Sequence, residues 1–238
     1  MNNKTSAIVL KTTKYNDNSL IVKLFTKKNG LRSYIVGISK KGNRIATFQG
    51  LNQIVVETSQ HGNNKLARIK NAQIETPYKS IHTDWVKGSV IQFLNELLYN
   101  SIQEESANID LYEFIENHLS YFDESDNALP NFHIYFMIKM SKYLGFYPQG
   151  EWKSGVSFNL VEGNYQSSSK LTTEIIESQL AKFLYDLSTS KIEHISLVKM
   201  NSKSRRDLLK SLILYFRIHL DGFKEMKSQE ILETVFAD

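Results

Sequence analysis

The hydrophobic pattern of this chain switches from strand-like to mainly helical at Pro77, and that switch limits the fold more than any other feature. Before it, residues 6–13, 19–26, 31–38, 51–58 and 66–75 alternate apolar with polar side chains or are rich in β-branched ones. Such runs form half-buried strands. Turn-formers lie between them: Asn16-Asp17-Asn18, Lys28-Asn29-Gly30, Gly42-Asn43 and His61-Gly62-Asn63-Asn64. Five short strands before Pro77 predict a small closed barrel. The oligonucleotide-binding (OB) fold is the commonest five-stranded form, and an SH3-like barrel would give the same pattern.

After Pro77 the apolar residues follow helical spacing. Val90, Phe93, Leu94, Leu97 and Leu98 fall on one face. Further helices are expected over 111–122, from Pro130 to a stop at Gly145 and Pro148, over 173–187, over 205–220 and over 228–236. Residues 150–169 read as a β-hairpin insertion around Gly163-Asn164. The expected architecture is therefore α+β in two domains. Residues 1–78 form a five-stranded β-barrel, and residues 79–238 form a mostly α-helical domain carrying the hairpin.

Charge divides along the same line. Residues 1–80 hold 14 Lys and Arg against three acids, a net of +11. The remaining 15 bases meet 22 acids, a net of −7, so the overall +4 hides a strongly basic first module. A basic module of this size points to a polyanion partner. The chain has no cysteine, which excludes disulfides, thiolate metal sites and cysteine nucleophiles. No run approaches the roughly 18 apolar residues of a membrane span. Residues 1–5 lead into an alternating run rather than a leader-like apolar stretch, so a cytoplasmic protein is expected.

Catalytic motifs are missing from the sequence. There is no phosphate loop, no Gly-x-Gly-x-x-Gly, no His-Glu-x-x-His and no Gly-x-Ser-x-Gly. The six histidines lack metal-ligand spacing. Glu113 and Glu116 share a helix face without a histidine to join them. These absences predict neither an enzyme nor a metal or cofactor site. Nucleic-acid contact is the better-supported chemistry. Lys27, Lys28 and Arg32 cluster at one hairpin, and Lys40, Lys41 and Arg44 in the loop after a strand. Lys65 and Arg68 flank a further strand start. Lysines supply point charges and arginines planar forks for phosphate. Tyr34 is a candidate base-stacking ring whose direction, core or groove, alternation does not fix. Nothing resembles a base-reading recognition helix. An RNA-binding or ribosome-associated barrel protein with a helical docking domain, or a metal-dependent nuclease, are the competing readings.

Several segments, in order along the whole chain, resemble the bacterial RecO family of DNA-repair proteins. They are Ala7-Ile8-Val9-Leu10-Lys11-Thr12, Val36-Gly37-Ile38-Ser39-Lys40-Lys41, Phe93-Leu94-Asn95-Glu96-Leu97-Leu98, Gly145-Phe146-Tyr147-Pro148 and Leu214-Tyr215-Phe216-Arg217. The resemblance implies an OB-fold followed by a helical domain, and binding of single- and double-stranded DNA at the nucleoid. It also implies annealing of complementary strands, with RecR and the single-strand-binding protein as partners and RecA loading as the outcome. Lys139, Lys142, Arg205, Arg206, Lys210 and Arg217 are then candidate cations around a pocket for the single-strand-binding protein's acidic, apolar tail. Many members of the family carry four zinc-binding cysteines after the Gly-Tyr-x-Pro corner. Here Pro148-Gln149-Gly150-Glu151-Trp152 carries none, so Trp152, Val156, Phe158, Leu160 and Tyr165 are expected to hold the hairpin by packing.

Overall fold

The computed structural model describes residues 3–37, 44–59, 66–126, 129–167 and 174–236. The alternating segments become β1 (Asn3–Asn16), β2 (Ser19–Thr26), β3 (Gly30–Gly37), β4 (Gln53–Ser59) and β5 (Ala67–Thr76), with a short helix α1 (Arg44–Thr47) before β4. β1 pairs antiparallel with β2 and β4, β2 with β3, and β4 with β5. β3 and β5 run parallel through Tyr34↔Ala67, Ile35↔Arg68 and Val36↔Ile69, closing a barrel of order β1-β2-β3-β5-β4. This closure is the OB-fold arrangement and decides between the two barrels that the sequence left open. Val9, Leu20, Val22, Leu24, Ile54 and Val56 fill the interior.

The strict alternation of β1 breaks at two points, between Val9 and Lys11 and between Lys14 and Asn16. Val9 faces Leu24, but Lys11 faces Lys23, so Leu10 is an extra residue forming a β-bulge. The chain after α1 clamps this point: Leu51 N–H donates to the Val9 carbonyl at 2.7 Å, and Val9 N–H to the Asn52 carbonyl at 3.1 Å. Leu51 adopts a left-handed backbone (φ 62°) while its side chain is fully buried. That conformation costs a leucine about 1–2 kcal/mol, which the burial and the clamp offset.

Two helices complete the first compact unit, residues 1–124. These are α2 (Trp85–Ser101) and α3 (Ile109–Glu124). The Asp84 side chain caps α2 by accepting the Lys87 N–H at 2.9 Å. Phe25 on β2 packs against Tyr112 of α3, and the Gln53 amide donates to the Glu116 carbonyl. The period thus changes at Pro77, while α2 and α3 pack with the barrel.

Residues 125–238 form the second unit. It holds α4 (Phe132–Tyr143), α5 (Ser178–Thr189), a 3₁₀ helix (Ile192–Leu197), α6 (Ser202–His219) and α7 (Gln229–Val235). The expected hairpin is β6 (Val156–Asn159) and β7 (Asn164–Ser167), turning at Gly163 with φ +67°. The helix expected over 173–187 begins later. Ile175-Ile176 instead form β8, pairing with Asn159 and Phe158 to give the order β7-β6-β8. Two adjacent β-branched residues suit that pairing, and α5 opens at Ser178. Asn201 caps α6, accepting the Ser204 N–H at 2.7 Å. Among the described residues no helix is long and apolar enough to cross a membrane.

Candidate nucleic-acid interface

The bulge in β1 determines which cations the barrel presents. Unbroken alternation from inward-facing Val9 would turn Lys11 into the core. The extra residue instead sets Lys11 beside Lys23, on the outer face of β1 and β2. Both ammonium groups lie over the ring of Tyr99 on α2, at 4.6 and 4.9 Å from its centroid. Arg68, on β5 beside Ile35 of β3, is exposed on the same outer surface. Tyr15, further along β1, is 61% exposed.

Apart from Arg68, the cations singled out in the sequence meet a different fate. Lys27 Nζ lies 2.9 Å from Glu113 of α3, and that hydrogen bond raises the ammonium pKa above its usual value. Arg32 Nη1 lies 2.6 Å from a Glu105 carboxylate oxygen, and Nη2 donates to the Glu105 carbonyl at 2.8 Å. The segment bearing Glu105 is pressed against the hairpin. Leu31 N–H donates to the Glu104 carbonyl at 3.0 Å, and a Cβ on Gly30 would stand 2.1 Å from the Ser106 oxygen. Gly30 also has φ +65°, so both space and backbone demand glycine there. Lys28 is exposed and donates to the Lys4 carbonyl at 3.0 Å. Arg44 opens α1. Lys40, Lys41 and Lys65 lie outside the described residues.

Tyr34 is resolved as a core residue. It pairs with Val22, is 5% exposed and sits in the barrel interior, where burial raises the phenol pKa. A stacking role for its ring is corrected accordingly. Lys11, Lys23, Tyr15 and Tyr99 escaped the sequence reading. The apolar stripe of α2 stops short of Tyr99, and only the bulge, invisible to simple alternation, brings the two lysines together.

A carboxylate staple holds α3 in place. Asp123 accepts N–H groups from Lys79, Ser80 and Ile81 at 2.7, 2.8 and 3.0 Å, and a bond from the Ser80 hydroxyl at 3.2 Å. Burial pushes the Asp123 carboxyl up, but these donors outweigh it and hold its pKa below the usual range. Lys87, itself buried, donates to the Ser80 hydroxyl at 2.7 Å and to the Asp123 carbonyl at 3.0 Å. The chain between barrel and helices is thereby fixed, and with it the positions of Glu113 and Tyr112 on α3.

In the second unit the hairpin rests on aromatic packing. Phe158 is fully buried, with ring centroids 5.0 Å from Tyr165 and 5.5 Å from Tyr215. Phe146 packs edge-on to Tyr215 and Phe216, and stacks on His219 at 5.2 Å. The Trp152 indole N–H donates to the Ser178 carbonyl at 3.0 Å, and Leu160 is buried. Among the described residues no three or more His, Asp or Glu side chains stand together as metal ligands.

Of the candidate cations there, Lys139 donates to the Ser188 carbonyl at 2.6 Å, and Lys210 lies 3.5 Å from Glu233. Arg205 donates to Asn131 at 3.1 Å and to the Met200 carbonyl at 2.9 Å. With Arg206, His133, Leu209, Leu232 and Phe236 it lines a cleft. The Phe236 ring stacks on His133 and lies 5.7 Å from the Arg205 guanidinium. Burial, then the nearby Arg205 charge, lower the His133 pKa to about 3.

Comparison with known proteins covers both parts of the chain. The family model described as Recombination protein O N terminal matches residues 1–78, and that described as Recombination protein O C terminal matches residues 82–229. The DNA repair protein RecO of Flavobacterium psychrophilum is 40% identical over 241 residues, covering 98% of this chain and 99% of its own length. Those of Christiangramia forsetii and Phocaeicola vulgatus are 34% and 32% identical, each spanning 98% of this chain. They cover 98% and 99% of their own lengths respectively.

Proposed function

Because the chain belongs to the RecO family of DNA-repair proteins, we propose that it acts as a recombination mediator. In this reading it binds single- and double-stranded DNA through the outer face of the barrel and anneals complementary strands. The observation that carries the reading is the outer face itself: Lys11 and Lys23 project from the adjoining strands β1 and β2, Arg68 is exposed on β5, and Tyr15 is exposed further along β1. Annealing requires charge neutralisation that lets two polyanions approach, not a nucleophile or a general base. A non-enzymatic role accords with that requirement. RecR and the single-strand-binding protein are its protein partners in this reading, RecA loading is the outcome, and the nucleoid is where it works. The cleft beside Arg205, Arg206 and Leu209 supports a place for an acidic, apolar tail, since it joins two guanidinium groups to an apolar floor.

A strand-annealing assay tests the proposal. Complementary oligonucleotides labelled as a fluorescence-transfer pair should anneal many-fold faster with the protein than alone, also when coated by the single-strand-binding protein. Equal rates with and without the protein would contradict the proposal.

A further inference from the structure

Among the described basic side chains of the barrel, three are paired with carboxylates. Lys14 pairs with Asp17 at 2.8 Å, Lys27 with Glu113 at 2.9 Å and Arg32 with Glu105 at 2.6 Å. Lys11 and Lys23 are treated differently. They are direct cross-strand partners, and among the described residues no carboxylate pairs with either. Like charges placed opposite each other on neighbouring strands oppose pairing. The chain nevertheless creates that juxtaposition, by inserting Leu10 as a bulge that turns Lys11 outward.

What the two ammonium groups share is the Tyr99 ring, at 4.6 and 4.9 Å. The negative face of the ring attracts both and relieves part of their repulsion. Lys11 Nζ also lies 3.4 Å from the Tyr99 oxygen as donor to it, which leaves the phenol hydrogen free to donate onward. Two ammonium groups with donors to spare and one phenol O–H thus converge at one surface point, with no carboxylate among the described residues paired to either ammonium.

We propose that Lys11, Lys23 and Tyr99 form a seat for a single phosphate group, filled by a backbone phosphate of bound single-stranded nucleic acid. This rests on the nucleic-acid-binding reading above and names the point of contact. The seat is blind to base identity, because all its donors address the phosphate. Tyr15, exposed further along β1, offers a ring for base stacking.

The test uses the full chain and two probes. In the first, oligo-dT affinity is measured by anisotropy across a salt series for the wild type and for Lys11→Gln/Lys23→Gln. The slope of log affinity against log salt should become shallower by about 1 in the variant. The charge-matched control Lys182→Gln/Lys224→Gln, in the second unit, should keep the wild-type slope. In the second, inorganic phosphate is titrated against protein carrying 13C-labelled tyrosine, with the Tyr99 signal identified by its loss in Tyr99→Phe. That signal should shift in the wild type and not in the lysine variant.

An unchanged slope together with a Tyr99 signal insensitive to phosphate overturns the seat and leaves the DNA-binding reading standing. A Tyr99 shift with an unchanged slope keeps a phosphate seat but overturns nucleic acid as its source. Failure of the wild type to bind oligo-dT overturns the reading beneath the proposal, and the phosphate titration then still decides the seat.

Discussion

Asp123 shows how much of this structure depends on single side chains. Its carboxylate receives three consecutive backbone N–H groups, so replacing it with alanine strands them in a junction that is part-buried at Lys79 and Ser80 and buried at Ile81. Asp123→Ala should cost about 3 kcal/mol, read from urea denaturation. The pH dependence follows from the lowered pKa. The unfolded carboxyl titrates near its ordinary value and the folded one below it, so the stabilisation is complete above about pH 4 and is lost as pH falls through the folded value. The wild type should lose this increment in acid, and the alanine variant should lack it throughout. The basic clusters could be seen at this scale, but not what they pair with. Arg32 meets Glu105, which lies 73 residues further along the chain, and nothing local announces such a pairing. Tyr34 illustrates the same limit, since alternation alone left its direction open and the closed barrel put it inside.

At the scale of elements, the strands and helices were legible wherever one period ran unbroken. What the sequence did not show arose where a local rule was interrupted. The Leu10 bulge sets Lys11 outward, which alternation alone does not reveal, and Ile175-Ile176 joined a sheet instead of opening the expected helix. Both depend on partners distant in sequence, Leu51 and Asn52 for the bulge and Phe158 for β8. The hairpin expectation can be tested directly. Phe158 and its tyrosine neighbours form the aromatic packing under the hairpin, so Phe158→Ala should cost about 3–5 kcal/mol through the cavity it leaves. Chelator should leave the wild-type melting temperature unchanged. A chelator-induced drop accompanied by stoichiometric zinc would contradict the packing account.

For the whole molecule, the opening contrast between a period-two segment and a helical one translated into a closed barrel and a helical unit. The charge contrast needed more revision. A net of +11 before residue 81 correctly marked the barrel as the basic part, yet acids of α3 and the preceding loop neutralise part of it. The surface left open lies on the strands β1, β2 and β5, not at the β2–β3 hairpin where the lysines and arginine are densest in sequence. Family membership then gives that surface its proposed ligand. The most direct measurement is oligo-dT binding by the full chain, followed by anisotropy from low to physiological salt. With about four phosphates neutralised, the account predicts binding whose log–log salt slope is roughly −3. No binding at low salt, or binding indifferent to salt, would contradict it.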